Sequence, residues 1–225
     1  MLTSFLDLLF PPRCAACGDA TFTTAAGPFC RLCAGAVDPV PPGCARCGLP
    51  GPLETCGACL ADPPAFDALA AGGLFGGPLA DAIHRLKYRD RPALAGPLGT
   101  WLAGRARLPP GAAVLSVPLG RRRRISRGYD QAALLAAAVA RAGNLPRLRG
   151  ALRRSRETAP QVGRDRAERA RNVAGAFAAS SRVRGRDLVL VDDVVTTGAT
   201  ADACCAALKA AGARSVLVLA LARAE

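Results

Sequence analysis

Apolar positions along the second two-thirds of the chain alternate between short continuous runs and a spacing of three and four. Asp67 to Phe75 reads as a short extended segment ended by Gly76-Gly77. Pro78 then opens a helix whose Leu79, Ala82, Ile83 and Leu86 fall on one face through Lys87. A second helix is predicted over Ala93 to Ala106, stopped by Pro109-Pro110, and Ala113 to Val117 (AVLSV) is a buried strand. Asp130 to Ala142 reads as a helix with Gly143-Asn144 as its stop, and Arg147 to Leu152 as a short strand. Asp187 to Val191 (DLVLV) is a continuous apolar run ending in two acids, the pattern of a central parallel strand covered on both faces. Thr200 to Ala211 is helical, and Ser215 to Leu221 (SVLVLAL) is another buried strand. Strands alternating with helices predict an α/β domain with a parallel sheet, whose ligands gather at the carboxyl ends of the strands.

The first 60 residues follow neither period. Four C-x-x-C pairs lie there: Cys14/Cys17, Cys30/Cys33, Cys44/Cys47 and Cys56/Cys59. Each such turn aims two sulfurs at one tetrahedral ion, and two turns complete a closed site of four cysteines. Gly18 and Gly48 follow two of the pairs, where a knuckle favours a residue tolerant of positive φ. Two zinc ions, each with a structural role, are the expectation; a disulfide framework or an iron–sulfur or redox role are the alternatives. Short-loop closure favours sequential pairing over an interleaved cross-brace. Few bulky apolar side chains are present, so metal must supply much of the folding energy of this module. Pro63-Pro64 marks its end, giving a zinc-ribbon module over residues 1–62 and an α/β domain over 63–225. The last two cysteines, Cys204 and Cys205, fall in a predicted helix as small buried fillers.

Composition sharpens this picture in two ways. Hydrophobic residues form 51% of the chain and charged residues 21%, enough for a core, although alanine supplies much of the total. The longest apolar run, Ala132 to Ala140, falls far short of the ~20 residues a membrane span needs. MLTSFLDLLFPP has no basic start and no small-residue cleavage site, so a soluble cytoplasmic protein without membrane insertion is expected. The net charge is +13, and it is not spread evenly. Arg121 to Arg171 holds fifteen Arg against Asp130, Glu157, Asp165 and Glu168, so this stretch carries nearly all of the excess. Such clustering suits a polyanion, either a diphosphate or a nucleic acid.

Several chemistries drop out. His84 is the sole histidine, so an H-E-x-x-H zinc site cannot form, and the His/Cys/Cys deaminase pattern also fails. Lys87 and Lys209 both follow Leu, which removes the P-loop, and no G-x-G-x-x-G occurs.

The chemistry concentrates at Val189 to Thr200, V-L-V-D-D-V-V-T-T-G-A-T. A buried strand delivers Asp192 and Asp193, and a loop of Thr196, Thr197, Gly198, Ala199 and Thr200 opens the next helix. Backbone N–H groups and the dipole of a helix N-terminus attract an anion. The Thr hydroxyls can donate to phosphate oxygens, and Gly198 permits close approach. Two carboxylates beside them suit a ribose diol or a Mg²⁺ held through water. The combination describes a sugar-phosphate pocket.

This segment resembles the phosphoribosyl-diphosphate-binding motif of type I phosphoribosyltransferases, and the whole chain is similar to the ComF family. Further matching stretches are P-F-D (Pro64 to Asp67), G-P-L…L-K-Y (Gly77 to Tyr88), V-P-L…R-G-Y-D-Q (Val117 to Gln131), R-E-T-A-P-Q (Arg156 to Gln161) and E-R-A-R-N-V-A-G-A-F (Glu168 to Phe177). The family pattern has His after V-P-L and R-G-F-N-Q; this chain has Gly120, Tyr129 and Asp130. The resemblance implies a type I phosphoribosyltransferase-like sheet behind a zinc ribbon. It implies that Asp192 and Asp193 hold the ribose hydroxyls and that Thr196 to Thr200 hold the 5-phosphate. The loop around Leu119, Gly120 and Arg121 would take diphosphate with Mg²⁺. A hood over Arg153 to Arg171, with Arg156, Arg169 and Arg171, would close over it. Arg122, Arg123, Arg124 and Arg127 would extend the diphosphate site or form a nucleic-acid face. Family membership also implies a link to DNA uptake in natural transformation, with single-stranded DNA and the uptake machinery as partners. Transfer of phosphoribosyl to a nucleobase, without a DNA role, is the alternative.

Overall fold

The computed structural model describes residues 13–19, 27–88, 91–156, 173 and 175–224. A four-stranded parallel sheet forms the centre, built from β1 (Ala68–Leu74), β2 (Ala113–Ser116), β5 (Asp187–Val195) and β6 (Ser215–Arg223), in the order β1-β6-β5-β2. β3 (Leu152–Arg154) and β4 (Phe177–Ala179) make a separate antiparallel pair. The helices of this part are α3 (Gly77–Tyr88), α4 (Ala95–Ala103), α5 (Arg121–Arg127), α6 (Gln131–Ala142) and α7 (Ala199–Ala210). Two five-residue helices, α1 (Arg31–Gly35) and α2 (Gly57–Ala61), lie in the Cys-rich segment.

The continuous apolar run of β5 is explained by cover on both sides. Leu188 and Leu190 face a core shared with Cys204, Cys205 and Leu208 of α7 and with Phe177 of β4. Val189 and Val191 face the opposite core, filled by Leu79, Ile83 and Leu86 of α3, Leu98 and Leu102 of α4, and Leu135 and Val139 of α6. Successive strand residues point to opposite faces, so a strand between two helical layers must be apolar throughout. Cys204 and Cys205 are wholly buried, as small packing residues.

Three elements differ from the sequence expectation. β5 does not stop at the acids but runs on to Val195, paired with β6 as far as Val195↔Arg223, so the carboxylates project from the strand itself. The expected helix over 93–106 is shorter: Pro92–Leu94 form a 3₁₀ turn and Gly104 caps the end of α4. The expected strand over 147–152 reduces to a single bridge between Arg147 and Val114, and β3 begins only at Leu152. α5 has no sequence signal at all. RRRRISR lacks an apolar stripe, and no residue of this helix is buried.

Both cores reach into the Cys-rich segment. Cys14, Ala15 and Phe29 belong to the α3 side, and Cys47 packs against the α7 side. The ring of Phe29 meets that of Trp101 of α4 edge-on at 5.5 Å. Among the described residues, no helix is long and apolar enough to cross a membrane.

Candidate functional site

Adjacent residues on a strand point to opposite faces, and this separates the two acids of β5. Asp193 is on the α3/α6 side and buried. Its Oδ1 lies 2.6 Å from Lys87 Nζ at the end of α3, and its Oδ2 accepts from Gln131 Nε2 at the start of α6, 2.8 Å away. Both oxygens are thus engaged within the protein. Asp192 is on the α7 side and half-buried. Among the described residues its side chain accepts one hydrogen bond, from the backbone N–H of Asp193 at 2.8 Å. Burial and the adjacent Asp193 push the Asp192 carboxyl up to about 8, far above the ordinary carboxylate range. One acid is a fixed strut, and the other carries the open oxygen.

Beyond Val195 the chain bends through Thr196, Thr197 and Gly198 before α7 begins. Gly198 caps the helix at φ +81, a left-handed conformation that side chains seldom adopt. Its carbonyl accepts from Asp202 N at 2.8 Å, and Thr197 Oγ1 accepts from Ala199 N at 3.4 Å. The first turn of α7 therefore sits directly after a hydroxyl-rich bend at the carboxyl end of the central strand.

The segment after β2 comes alongside. Val117 N donates to Val191 O at 2.9 Å, which holds the start of the Leu119–Gly120 loop against β5. Gly120 is the N-cap of α5, so Arg121 to Arg124 and Arg127 lie on a short helix rather than in a loop. Arg121, Arg122, Arg123 and Arg124 are exposed. Asp130 accounts for one departure from the family pattern: it caps α6 through Ala133 N at 3.0 Å and lies 3.7 Å from Arg124. Arg156 ends the described segment after β3, while Arg169 and Arg171 lie outside the described residues.

Lys87 and Gln131 are the site residues that sequence reasoning left without a role. Both stood inside motifs already singled out, L-K-Y and R-G-Y-D-Q. A signal was present, since Lys87 is one of two lysines in a chain otherwise using Arg. The second, Lys209, also holds an acid: its Nζ is 2.7 Å from Asp67.

A row of rings flanks the basic helix. Phe75 and His84 meet edge-on at 5.8 Å, His84 and Tyr88 are 6.3 Å apart, and Arg127 lies 5.0 Å above the Tyr88 ring. Tyr88 is 70% exposed, so its ring is open to a partner. Tyr129, the aromatic that the sequence puts beside the arginines, is instead packed against the core and donates to Leu86 O.

The eight N-terminal cysteines gather into two clusters, Cys14, Cys17, Cys30, Cys33 and Cys44, Cys47, Cys56, Cys59, each with its sulfurs within 4.8 Å of one another. Pairing is sequential. Cys17 and Cys30 sulfurs are 3.9 Å apart and those of Cys47 and Cys56 3.7 Å. A tetrahedron with Zn–S near 2.3 Å has edges of about 3.8 Å, so the spacing fits a thiolate-bound zinc and is far beyond a disulfide. Burial at Cys14 and Cys44 is outweighed by backbone N–H groups, which hold both thiols at about 6, whereas Cys17, Cys33, Cys47 and Cys59 are pushed up by burial and by the sulfurs crowded beside them. The two halves repeat one another: Cys-Ala-x-Cys-Gly opens each, with Gly18 at φ +85 and Gly48 at φ +65. Four sulfurs around each centre leave no position for substrate, an arrangement consistent with two structural zinc sites.

Comparison with known proteins finds two matching domains and several related chains. A double zinc ribbon domain matches residues 5–61, and a phosphoribosyl transferase domain matches residues 129–225. The chain is 35% identical over 204 residues to DNA utilization protein YhgH of Escherichia coli K12, covering 87% of this chain and 90% of that one. It is 32% identical over 197 residues to Competence protein F of Haemophilus influenzae, covering 81% and 85%. Among solved structures, glutamine phosphoribosylpyrophosphate amidotransferase from B. subtilis, complexed with ADP and GMP, is similar at 24% identity with a TM-score of 0.39. That match spans 61% of this chain and 27% of the larger enzyme. A double zinc ribbon joined to a phosphoribosyltransferase-like sheet, with relatives matched over most of their length, places this chain in the ComF family.

Proposed function

We propose that this protein binds phosphoribosyl diphosphate with Mg²⁺ at the carboxyl end of β5 and couples that site to single-stranded DNA. The observation that carries the reading is the Asp192–Asp193 strand end running through a Thr-rich, left-handed bend into the N-terminus of α7. Asp192 accepts the ribose hydroxyls, while Asp193, locked by Lys87 and Gln131, holds the strand end in place. Thr196 to Thr200 and the first N–H groups of α7 hold the 5-phosphate. The Leu119–Arg121 segment and the arginines of α5 face the diphosphate, with Arg156, Arg169 and Arg171 assigned to the hood.

The donor set fits a hard cation. Asp192 is a carboxylate whose ionisation is opposed by burial, and a bound cation relieves that opposition. Mg²⁺ on the diphosphate would neutralise the charge of the leaving group. In phosphoribosyl transfer the bond from C1 to the diphosphate oxygen breaks, the electron pair departs with diphosphate, and C1 bonds to an acceptor. The protein's contribution is to orient the sugar, hold the anions and exclude water.

The DNA side of the reading draws on the relatives, one of them named for DNA utilization and another for competence, and on the exposed arginines of α5 beside Tyr88. A cytoplasmic location matches the reduced thiols that both four-cysteine centres need. The proposed division into a ribbon over 1–62 and a transferase-like domain over 63–225 is supported by the ribbon match over 5–61 and, for its second part, by the transferase match over 129–225.

The test is calorimetric titration with phosphoribosyl diphosphate and Mg²⁺, followed by diphosphate release screened over nucleobases and then single-stranded DNA. Binding is expected for the wild type and lost in Asp192→Asn with the fold intact. Equal binding by both overturns the site. Release driven by a nucleobase alone, with no affinity for DNA, establishes the salvage enzyme instead.

A further inference from the structure

The second four-cysteine knuckle is linked to the candidate phosphate loop along two paths, each through intervening residues. Arg46 sits between Cys44 and Cys47, and its Nη2 donates to Pro64 O at 3.1 Å. The next residue, Ala65, donates its N–H to Asp202 Oδ1 in the first turn of α7 at 2.6 Å. Phe66 follows, 2% exposed, with its ring 3.8 Å from where a side chain on Gly198 would begin. This path fixes the helix side of the loop. On the strand side, Arg223 at the end of β6 is 6% exposed and donates from Nη1 to Cys47 O at 2.7 Å. Arg223 pairs with Val195, the residue just before Thr196, and Ala224 N donates to Val195 O at 2.9 Å. Cys47 itself packs on the core that contains Phe66, Val195 and Ala201.

From these contacts we propose that Arg46 and Arg223 are positioning residues, through which the Cys44–Cys59 knuckle holds Thr196 to Thr200 in the geometry that receives a 5-phosphate. This rests on the phosphoribosyl reading given above. Charged donors on backbone carbonyls are among the stronger hydrogen bonds, and both are largely shielded from water here. A loop that must present several N–H groups to one anion gains affinity from being held rather than ordered on binding. The ribbon is then part of the binding site's frame, not an independent docking module. Loss of metal or oxidation of its thiols in this half lowers affinity for the sugar phosphate while the sheet remains folded.

The experiment titrates the full-length, zinc-loaded protein with two probes, ribose 5-phosphate and inorganic diphosphate with Mg²⁺. Arg46→Ala is expected to weaken ribose 5-phosphate by about tenfold and to leave diphosphate unchanged, since the Leu119–Arg121 side is anchored to β5 through Val117 instead. Zinc content is measured alongside. Arg46→Lys, whose ammonium can still donate to Pro64 O, is expected to recover most of the affinity. Should Arg46→Ala not fold, Arg46→Gln serves with the same split expected. Unchanged ribose 5-phosphate affinity, or equal loss of both probes, overturns the positioning role. No binding of either probe by the wild type overturns the phosphoribosyl reading itself, a result distinct from the failure of Arg46.

Discussion

Lys87 and Asp193 meet across the carboxyl end of the sheet, Nζ to Oδ1 at 2.6 Å, with side chains 17% and 8% exposed. A charge on Asp193 at this depth is tolerable because Lys87 neutralises it and Gln131 satisfies its second oxygen. Lys87 rides on α3, two residues beyond Arg85, whose guanidinium donates to Cys14 O and Cys17 O at 3.4 and 3.2 Å. The helix that grips the site acid is therefore itself gripped by the first four-cysteine knuckle.

Removing one partner of this pair should cost more than a surface ion pair does. Lys87→Met leaves Asp193 buried without its cation, and the expected loss is about 3 kcal/mol, the lower end of the range for breaking a buried pair. Urea unfolding of the zinc-loaded protein measures it. Neutralising the acid as well, in Lys87→Met/Asp193→Asn, should restore much of the stability. Additive losses in the double variant would show that the two charges do not compensate one another.

Asp192 gives a stability signature of known sign. Its folded value is raised above the unfolded one, so its contribution is fully present below the ordinary carboxylate range and is lost as pH rises towards about 8. Asn at this position does not ionise. The thermal midpoint of Asp192→Asn should thus gain on the wild type between pH 4 and pH 9, and Mg²⁺ should narrow the gap by binding the ionised carboxylate. A difference that stays constant across this range removes the raised carboxyl.

Much of the fold could be read from local pattern, because buried parallel strands and amphipathic helices leave a periodic trace. DLVLV and SVLVLAL became β5 and β6, and Leu79, Ile83 and Leu86 became the buried face of α3. The two cysteine ligand sets were equally plain, since their spacing is set by the metal. What sequence could not supply were relationships made by the tertiary fold. The opposite facing of Asp192 and Asp193 depends on β5 continuing past both, and the Lys87 contact brings together residues 106 positions apart. α5 was invisible because none of its side chains enters a core, leaving no stripe to detect. Tyr129 packs against a core while Tyr88 is exposed, and only packing decides which ring turns inward.

Thiol chemistry separates the metal centres from the core cysteines. Metal analysis of the purified protein should find about two zinc per chain. A strong chelator should then make eight thiols reactive while Cys204 and Cys205, both 0% exposed, stay protected. Reaction of all ten at one rate would mean that the ribbon and the sheet unfold together. A protein without zinc would end the ribbon assignment.

The α5 face and the Tyr88 ring should leave different marks on DNA binding, because charge and stacking respond differently to salt. Each phosphate neutralised on a single strand contributes roughly 0.7 to the slope of log affinity against log salt. Changing Arg121 to Arg124 to Gln should therefore flatten the slope by that amount for every phosphate no longer neutralised, with the largest effect at low salt. Stacking of a base on an exposed ring is worth about 1–3 kcal/mol and has little ionic component. Tyr88→Ala should lower affinity for an unstructured oligonucleotide at every salt concentration and leave the slope alone, whereas Tyr88→Phe should bind as the wild type does. The same substitution should not change affinity for duplex DNA, whose bases are not free to stack on it. Fluorescence anisotropy over a salt series resolves all of these, and a Tyr88→Ala variant that binds as the wild type does at every salt concentration would assign the surface to charge alone.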